Sequence, residues 1–343
     1  MWDLAVREDD YEAVDTMLAR YSGAPVSYRV VPAYARHDSA AMTRVFDEAR
    51  NLDGRQSQIA GRYVAIHLED FAAAERLARL DLQSRRNAVI RLGAQSFLAW
   101  LGVARGRWSE ARAAFVVAER MEGGHGVRIE RALAASLPFT TIPSDELRSI
   151  RSSIDNWHPD TDPAPPGSPP LAIALRAHLR LYLLGVLSVK LRDDATAQTY
   201  AQELERLEAP PSARPTVAGL AATIRAASAM QRQQPAEALR FVEAADARVP
   251  LELVQAKAFA NTREFTHEHA RFLRAEALIA LGRDAEARRW LETSFQGSPL
   301  ELVYLVPAKL RLASVLERQG DTAQAAEYRR SARSLLRNSD TTR

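Results

Sequence analysis

The chain has 343 residues, 47% of them apolar and 26% charged, which suits two domains or one extended array and is too apolar for a disordered chain. It contains no cysteine, so disulfides, thiolate metal sites and cysteine nucleophiles are excluded together. Net charge is +3 and the pI about 9.3, but only Lys190, Lys257 and Lys309 among 46 basic residues are lysines; the arginines are spread among 43 acids, so no nucleic-acid partner is expected.

The N-terminus places Glu8, Asp9 and Asp10 where a signal peptide needs an apolar stretch. No apolar run approaches the ~18–20 residues of a membrane span; the best one, LYLLGVLSV (181–189), sits between Arg180 and Lys190 and reads as a buried helix. A cytoplasmic location is expected, or an extracytoplasmic one if the sequence is a fragment of a membrane-anchored protein. Trp2, Leu4 and Val6 have no preceding helix to cover them, which suggests the C-terminal part of a longer protein.

Helical periodicity then dominates, and strand signals are nearly missing; VSYRVVPAY (26–34) fits a helix start at least as well as a strand. A fixed set of steps recurs. From Gly282, five residues lead to Ala287, four more to Leu291, three more to Ser294 and five more to Pro299. Gly106 leads likewise to Ala111, Phe115, Ala118 and Gly123, and Gly320 to Ala325, Arg329, Ala332 and Arg337. Gln233 leads to Ala238, Val242, Ala245 and Pro250. Looser copies start at Glu69 (to Ala74) and Arg192 (to Ala197, Ala201 and Leu204), and others centre on Val14, Ala41 and Leu147.

Close packing between paired helices explains these steps. The glycine ends one helix in a left-handed conformation, and a polar residue starts the next, with Asp284, Asp321, Ser109 and Ser144 as expected caps. The alanine five residues on lets the second helix approach the first, and a larger side chain there would cost ~1–3 kcal/mol by overpacking. The bulky residue after it fills the space between pairs, and the next small residue admits the following pair.

The stretches LAWLGVARGRWSEARAAFVVAERMEG (98–123) and FLRAEALIALGRDAEARRWLETSFQGSP (272–299) resemble the tetratricopeptide repeat, a helix–turn–helix unit of about 34 residues. The Trp–Leu–Gly–Tyr set of that family's first helix is mostly missing here, and the spacing of the central alanines is irregular. The resemblance implies an all-α solenoid of about eight or nine helix pairs, resembling the C-terminal repeat regions of large bacterial signalling proteins.

NWHPDTDPAPPGSPP (156–170) has six prolines and cannot be helical. It divides an N-terminal repeat block (1–155) from a C-terminal block (171–337) as a linker or inserted loop, and a polar tail (338–343) follows.

Catalytic motifs are missing: there is no phosphate-binding GxxxxGK[ST] loop, no GxGxxG after a strand, no HExxH and no GxSxG. EGGHG (122–126) follows a helix end and reads as a loop. EFTHEHA (264–270) would put Glu264, His267 and Glu268 on one helix face, with His269 off it. No metal, no cofactor and no enzymatic activity are expected.

What remains is binding. In the family this chain resembles, the first helix of each pair lines a concave groove, which selects Tyr63, Ser96, Trp100, Tyr182, Thr223, Phe272, Glu276 and Glu317 as candidate contacts. Part of this set is expected to fill the core instead. Acidic chaperone tails would need a lysine- and asparagine-rich clamp at these positions, which hold aromatic, hydroxylic or acidic residues. The expected function is a scaffold for a protein or peptide partner; the alternative is a ligand-sensing region regulating an attached kinase or transcription regulator.

Overall fold

The computed structural model describes residues 10–21, 29, 32–33, 36, 38, 40–41, 43–44, 64–65, 69–83, 88–164, 168–245, 249–250, 252–253, 265, 267–293 and 301–336; every regular element among them is helical. In the N-terminal part these are α1 (Tyr11–Arg20), α2 (Phe71–Leu82), α3 (Ala88–Ala104) and α4 (Trp108–Glu119). Then come α5 (Val127–Ser136), α6 (Ser144–Asp155), the single-turn α7 (Pro170–Ala174), α8 (Arg176–Lys190) and α9 (Asp194–Arg206). The chain continues with α10 (Arg214–Gln231), α11 (Pro235–Ala244), α12 (Glu268–Ala280), α13 (Asp284–Thr293), α14 (Leu302–Arg318) and α15 (Thr322–Leu335).

The starting point of every well-spaced copy is a left-handed residue. Gly106, Gly282 and Gly320 have φ of 68°, 72° and 87°, and Glu69, Arg192 and Gln233 adopt 52°, 61° and 60° at the equivalent places. The next N–H then reaches back five residues to close the helix end: Asp193 to Ser188 (3.0 Å), Gln234 to Ala229, Arg283 to Leu278 and Asp321 to Leu316 (2.9 Å each). Asp70, Asp193 and Asp321 then cap the following helix, their carboxylates accepting from Ala73, Thr196 and Gln324 N–H. The expected caps Ser109 and Ser144 prove to lie inside their helices, α4 starting at Trp108 and α6 at Ser144 itself behind Pro143. Asp284 is the first residue of α13, and its carboxylate binds Arg318.

The alanine five residues past each turn is where the helices meet. Ala74, Ala111, Ala197, Ala238, Ala287 and Ala325 are all at most 1% exposed. Gly102 shows how tight the fit is, since a Cβ there would come within 3.0–3.1 Å of the backbone and Cβ of Ala111. The neighbouring Trp100 and Phe115 rings meet edge to face, 5.9 Å apart.

The chain forms two compact units, residues 1–102 with 109–124, and residues 103–108 with 125–343. In the second unit, five pairs (α5/α6, α8/α9, α10/α11, α12/α13 and α14/α15) follow one another, and each contacts its sequential neighbours. First helices touch in the row α5, α8, α10, α12, α14, and each second helix from α6 to α13 packs on the first helix of the next pair. This is the connectivity of a helical repeat, in which each unit buries its apolar face on the next.

The dispersed arginines join these units. Arg225 of α10 and Arg232 just past its end reach back to Glu205 and Asp194 of α9, Arg274 of α12 to Glu243 of α11, and Arg318 of α14 to Asp284 of α13. Bidentate guanidinium–carboxylate geometry favours arginine over lysine in this role. The proline-rich stretch falls within the second unit, where Arg176 donates to the Pro159 and Asp162 carbonyls at 2.6 and 2.7 Å and stacks over Trp157.

Candidate binding site

Seven of the eight candidate groove residues lie among the described residues; Tyr63 lies outside them. In the first unit, Ser96 and Trp100 on α3 are 8% and 3% exposed. In the second unit, Tyr182 on α8, Thr223 on α10 and Phe272 on α12 are 1–2% exposed, and the Thr223 hydroxyl donates to the Gly219 carbonyl of its own helix at 2.7 Å. Glu276 is half-buried, its carboxylate accepting from Arg311 Nε at 2.6 Å and Nη2 at 3.2 Å, and Glu317 is exposed and binds Arg329. The structure therefore brings Tyr182, Phe272 and Glu276 into one neighbourhood of the second unit.

That neighbourhood is organised by the turn after α5. Lys190, the last residue of α8, points its ammonium into the turn and donates to the Leu137 carbonyl at 2.9 Å and the Thr140 carbonyl at 2.7 Å. Burial pushes its pKa down to about 8. The turn thereby delivers Phe139 against Phe272 and Tyr304, with ring centroids 5.4 and 5.3 Å away and near-perpendicular planes. Beneath it, Tyr182 Oη lies 3.1 Å from His269 Nδ1. Burial, and then the charge of Lys190, hold this imidazole neutral with a pKa near about 4.

A cavity of about 180 Å³ opens on the far side of the same turn, and all of its lining residues belong to the second unit. Phe139, Thr140 and Thr141 form one wall, and Val303, Val306, Pro307, Leu310 and Arg311 of α14 form another. Trp108 closes it, its indole N–H donating to Glu146 at 3.1 Å. Pro307 sits inside α14 and has no N–H, so the Val303 carbonyl one turn earlier loses its ordinary helical donor on this wall.

Phe139, Tyr304, Arg311 and Lys190 were not among the sequence candidates. The one local signal was Pro307, a proline within an otherwise helical pattern. The histidine cluster differs from its sequence reading as well. Glu264 lies outside the described residues, and His267 is left-handed (φ 61°) just before α12 begins at Glu268, so it shares no helix face with Glu268. Among the described residues no group of three or more His, Asp or Glu side chains could hold a metal ion, and no helix is long and apolar enough to cross a membrane.

No family model and no curated protein matches this sequence. Among solved structures, a tetratricopeptide repeat protein from Parabacteroides merdae is similar at 15% identity, over 84% of this chain and 99% of that one, with a TM-score of 0.37. The similarity is weak. The structure itself is an all-α arrangement of repeated helix pairs, which in the second unit pack each on its sequential neighbours.

Proposed function

We propose that this protein is a non-enzymatic scaffold that takes a protein or peptide segment along the row of first helices in its second unit. The observation that carries this reading is the unbroken contact of α5, α8, α10, α12 and α14. On this row the half-buried Glu276–Arg311 pair, beside the aromatic cluster, is the polar anchor that a partner would meet. Affinity would come from a few such anchors rather than from total area. The test is to select peptide ligands from a displayed library and remeasure them on Glu276→Ala and Arg311→Ala, with Arg289→Ala on the second helix α13 as control. First-helix changes are expected to weaken binding about tenfold or more, with helicity unchanged. Loss confined to the α13 variant would place recognition on the other face and end this reading.

A second reading, a ligand-sensing region that regulates an attached signalling effector, is supported by the cavity beside Phe139, which is mostly apolar with a few polar groups.

A further inference from the structure

The geometry points to the cavity between the 139–141 turn and α14 as a site for a neutral, phenol-sized aromatic molecule carrying one hydroxyl. This inference rests on the ligand-sensing reading and names the chemical class it would take.

Size comes first. A cavity of about 180 Å³ is slightly larger than the engineered apolar cavity of about 150 Å³ that binds benzene, so one substituted aromatic ring fits. Shape and chemistry come next. Phe139 and Trp108 offer ring edges and faces, and Val306, Leu310 and Leu336 supply aliphatic wall. Phe139 is held in place from behind by Phe272 and Tyr304, and its turn is fixed by Lys190, so the wall is rigid before any ligand arrives.

Charge narrows the class. Arg311 is the charged side chain in the lining, and Glu276 already neutralises it through two hydrogen bonds. A carboxylate or ammonium ligand would lose hydration without gaining a counter-charge, so a neutral ligand is favoured. A single donor is favoured in turn by the acceptors on the walls. The Val303 carbonyl lacks the N–H that Pro307 cannot supply, and the Thr140 hydroxyl spends its hydrogen on the turn carbonyls but keeps lone pairs. A phenolic hydroxyl donates its single hydrogen to one of these two acceptors.

The experiment titrates the full chain with p-cresol, benzene and benzoate by calorimetry or ligand-observed NMR, and repeats p-cresol on Val306→Phe. The expected result is p-cresol binding with Kd of about 1 mM or tighter, benzoate at least about tenfold weaker, and at least about tenfold loss in Val306→Phe with the helical circular dichroism retained. If Val306→Phe does not fold, Leu310→Trp at the half-exposed rim is expected to give the same loss. Benzene bound as tightly as p-cresol would overturn the hydroxyl assignment while leaving a ligand cavity in place. No binding by any of the three probes, or p-cresol binding untouched by the filled cavity, would overturn both.

Discussion

The pairs α8/α9 and α12/α13 are built to one plan from different residues. Each turns through a left-handed residue, Arg192 in one and Gly282 in the other, with φ of 61° and 72°. Each places an alanine with no exposure five residues on, Ala197 and Ala287, and a buried residue four further, Ala201 and Leu291. An arginine in the left-handed region carries a strain of about 1–2 kcal/mol that glycine avoids. The shared turn is therefore imposed by the packing of the two helices, and glycine eases it without being required. Their interiors differ: α8 carries buried His178 and brings Gly185 close to Ile224, whereas α12 carries buried His269, set against Tyr182 Oη, and the aromatic ring that meets Phe139. Backbone plan is common to the repeats, and polar content is particular to each.

The largest expected consequence of that difference is acid sensitivity centred on α12. His269 within it and His267 just before it have pKa values pushed down to about 4, chiefly by burial, from an ordinary value of 6.5. Between those values the unfolded chain binds more protons than the folded one, so stability falls as pH drops from 6.5 towards 4, by up to about 3 kcal/mol per histidine. His178 on α8 is also lowered by burial, but backbone hydrogen bonds at Leu207 and Glu208 oppose the shift. Urea unfolding at pH 7 and pH 4.5 should show that His269→Phe removes about 2–3 kcal/mol of the acid loss and His178→Phe removes less. Equal relief from both would erase the distinction between the two pairs.

A second, smaller effect tests what the pairs share. Ala197→Leu and Ala287→Leu should each destabilise by about 1–3 kcal/mol through overpacking, while Ala285→Leu, exposed on the same helix as Ala287, should stay within about 0.5 kcal/mol. Denaturant midpoints at constant slope give the comparison directly. A shift at Ala285 as large as at Ala287 would mean that the small residues recur for reasons of composition and not of contact.

The helix pairing could be read from the sequence because its cause is local. The same count finds the turns at Arg192, Gln233 and Glu69, where there is no glycine, since the buried alanine five residues on keeps the register. Cap positions failed at Ser109 and Ser144 because serine serves equally inside the first helical turn, and only the neighbouring backbone decides. The candidate site was legible in part. Tyr182, Phe272 and Glu276 follow from helix register, but their partners His269, Phe139 and Arg311 come from other repeats or from a turn with no repeat signal. Lys190 is instructive, because a lysine ending a helix ordinarily faces water, and only the fold reveals that it reaches the Leu137 and Thr140 carbonyls. Contacts between repeats that are not sequential neighbours leave no periodic trace.

The smallest effect sharpens the comparison most directly. If packing imposes the left-handed turn on Arg192, then Arg192→Gly should relieve strain and stabilise the protein, while Gly282→Arg should destabilise it by a similar amount. Glycine also loses more conformational freedom on folding, by roughly 0.5–1 kcal/mol, so the net gain at Arg192 is expected to be only about 0.5–1 kcal/mol. A Cβ at Gly282 would meet nothing within 4 Å, so the cost of Gly282→Arg is conformational alone and free of steric clash. Thermal unfolding of the two single variants and of the double exchange resolves this, because a shared mechanism predicts shifts of opposite sign that nearly cancel in the double variant. Destabilisation by Arg192→Gly would instead mean that the arginine side chain itself supports the α8/α9 turn, and the two pairs would no longer be versions of one design.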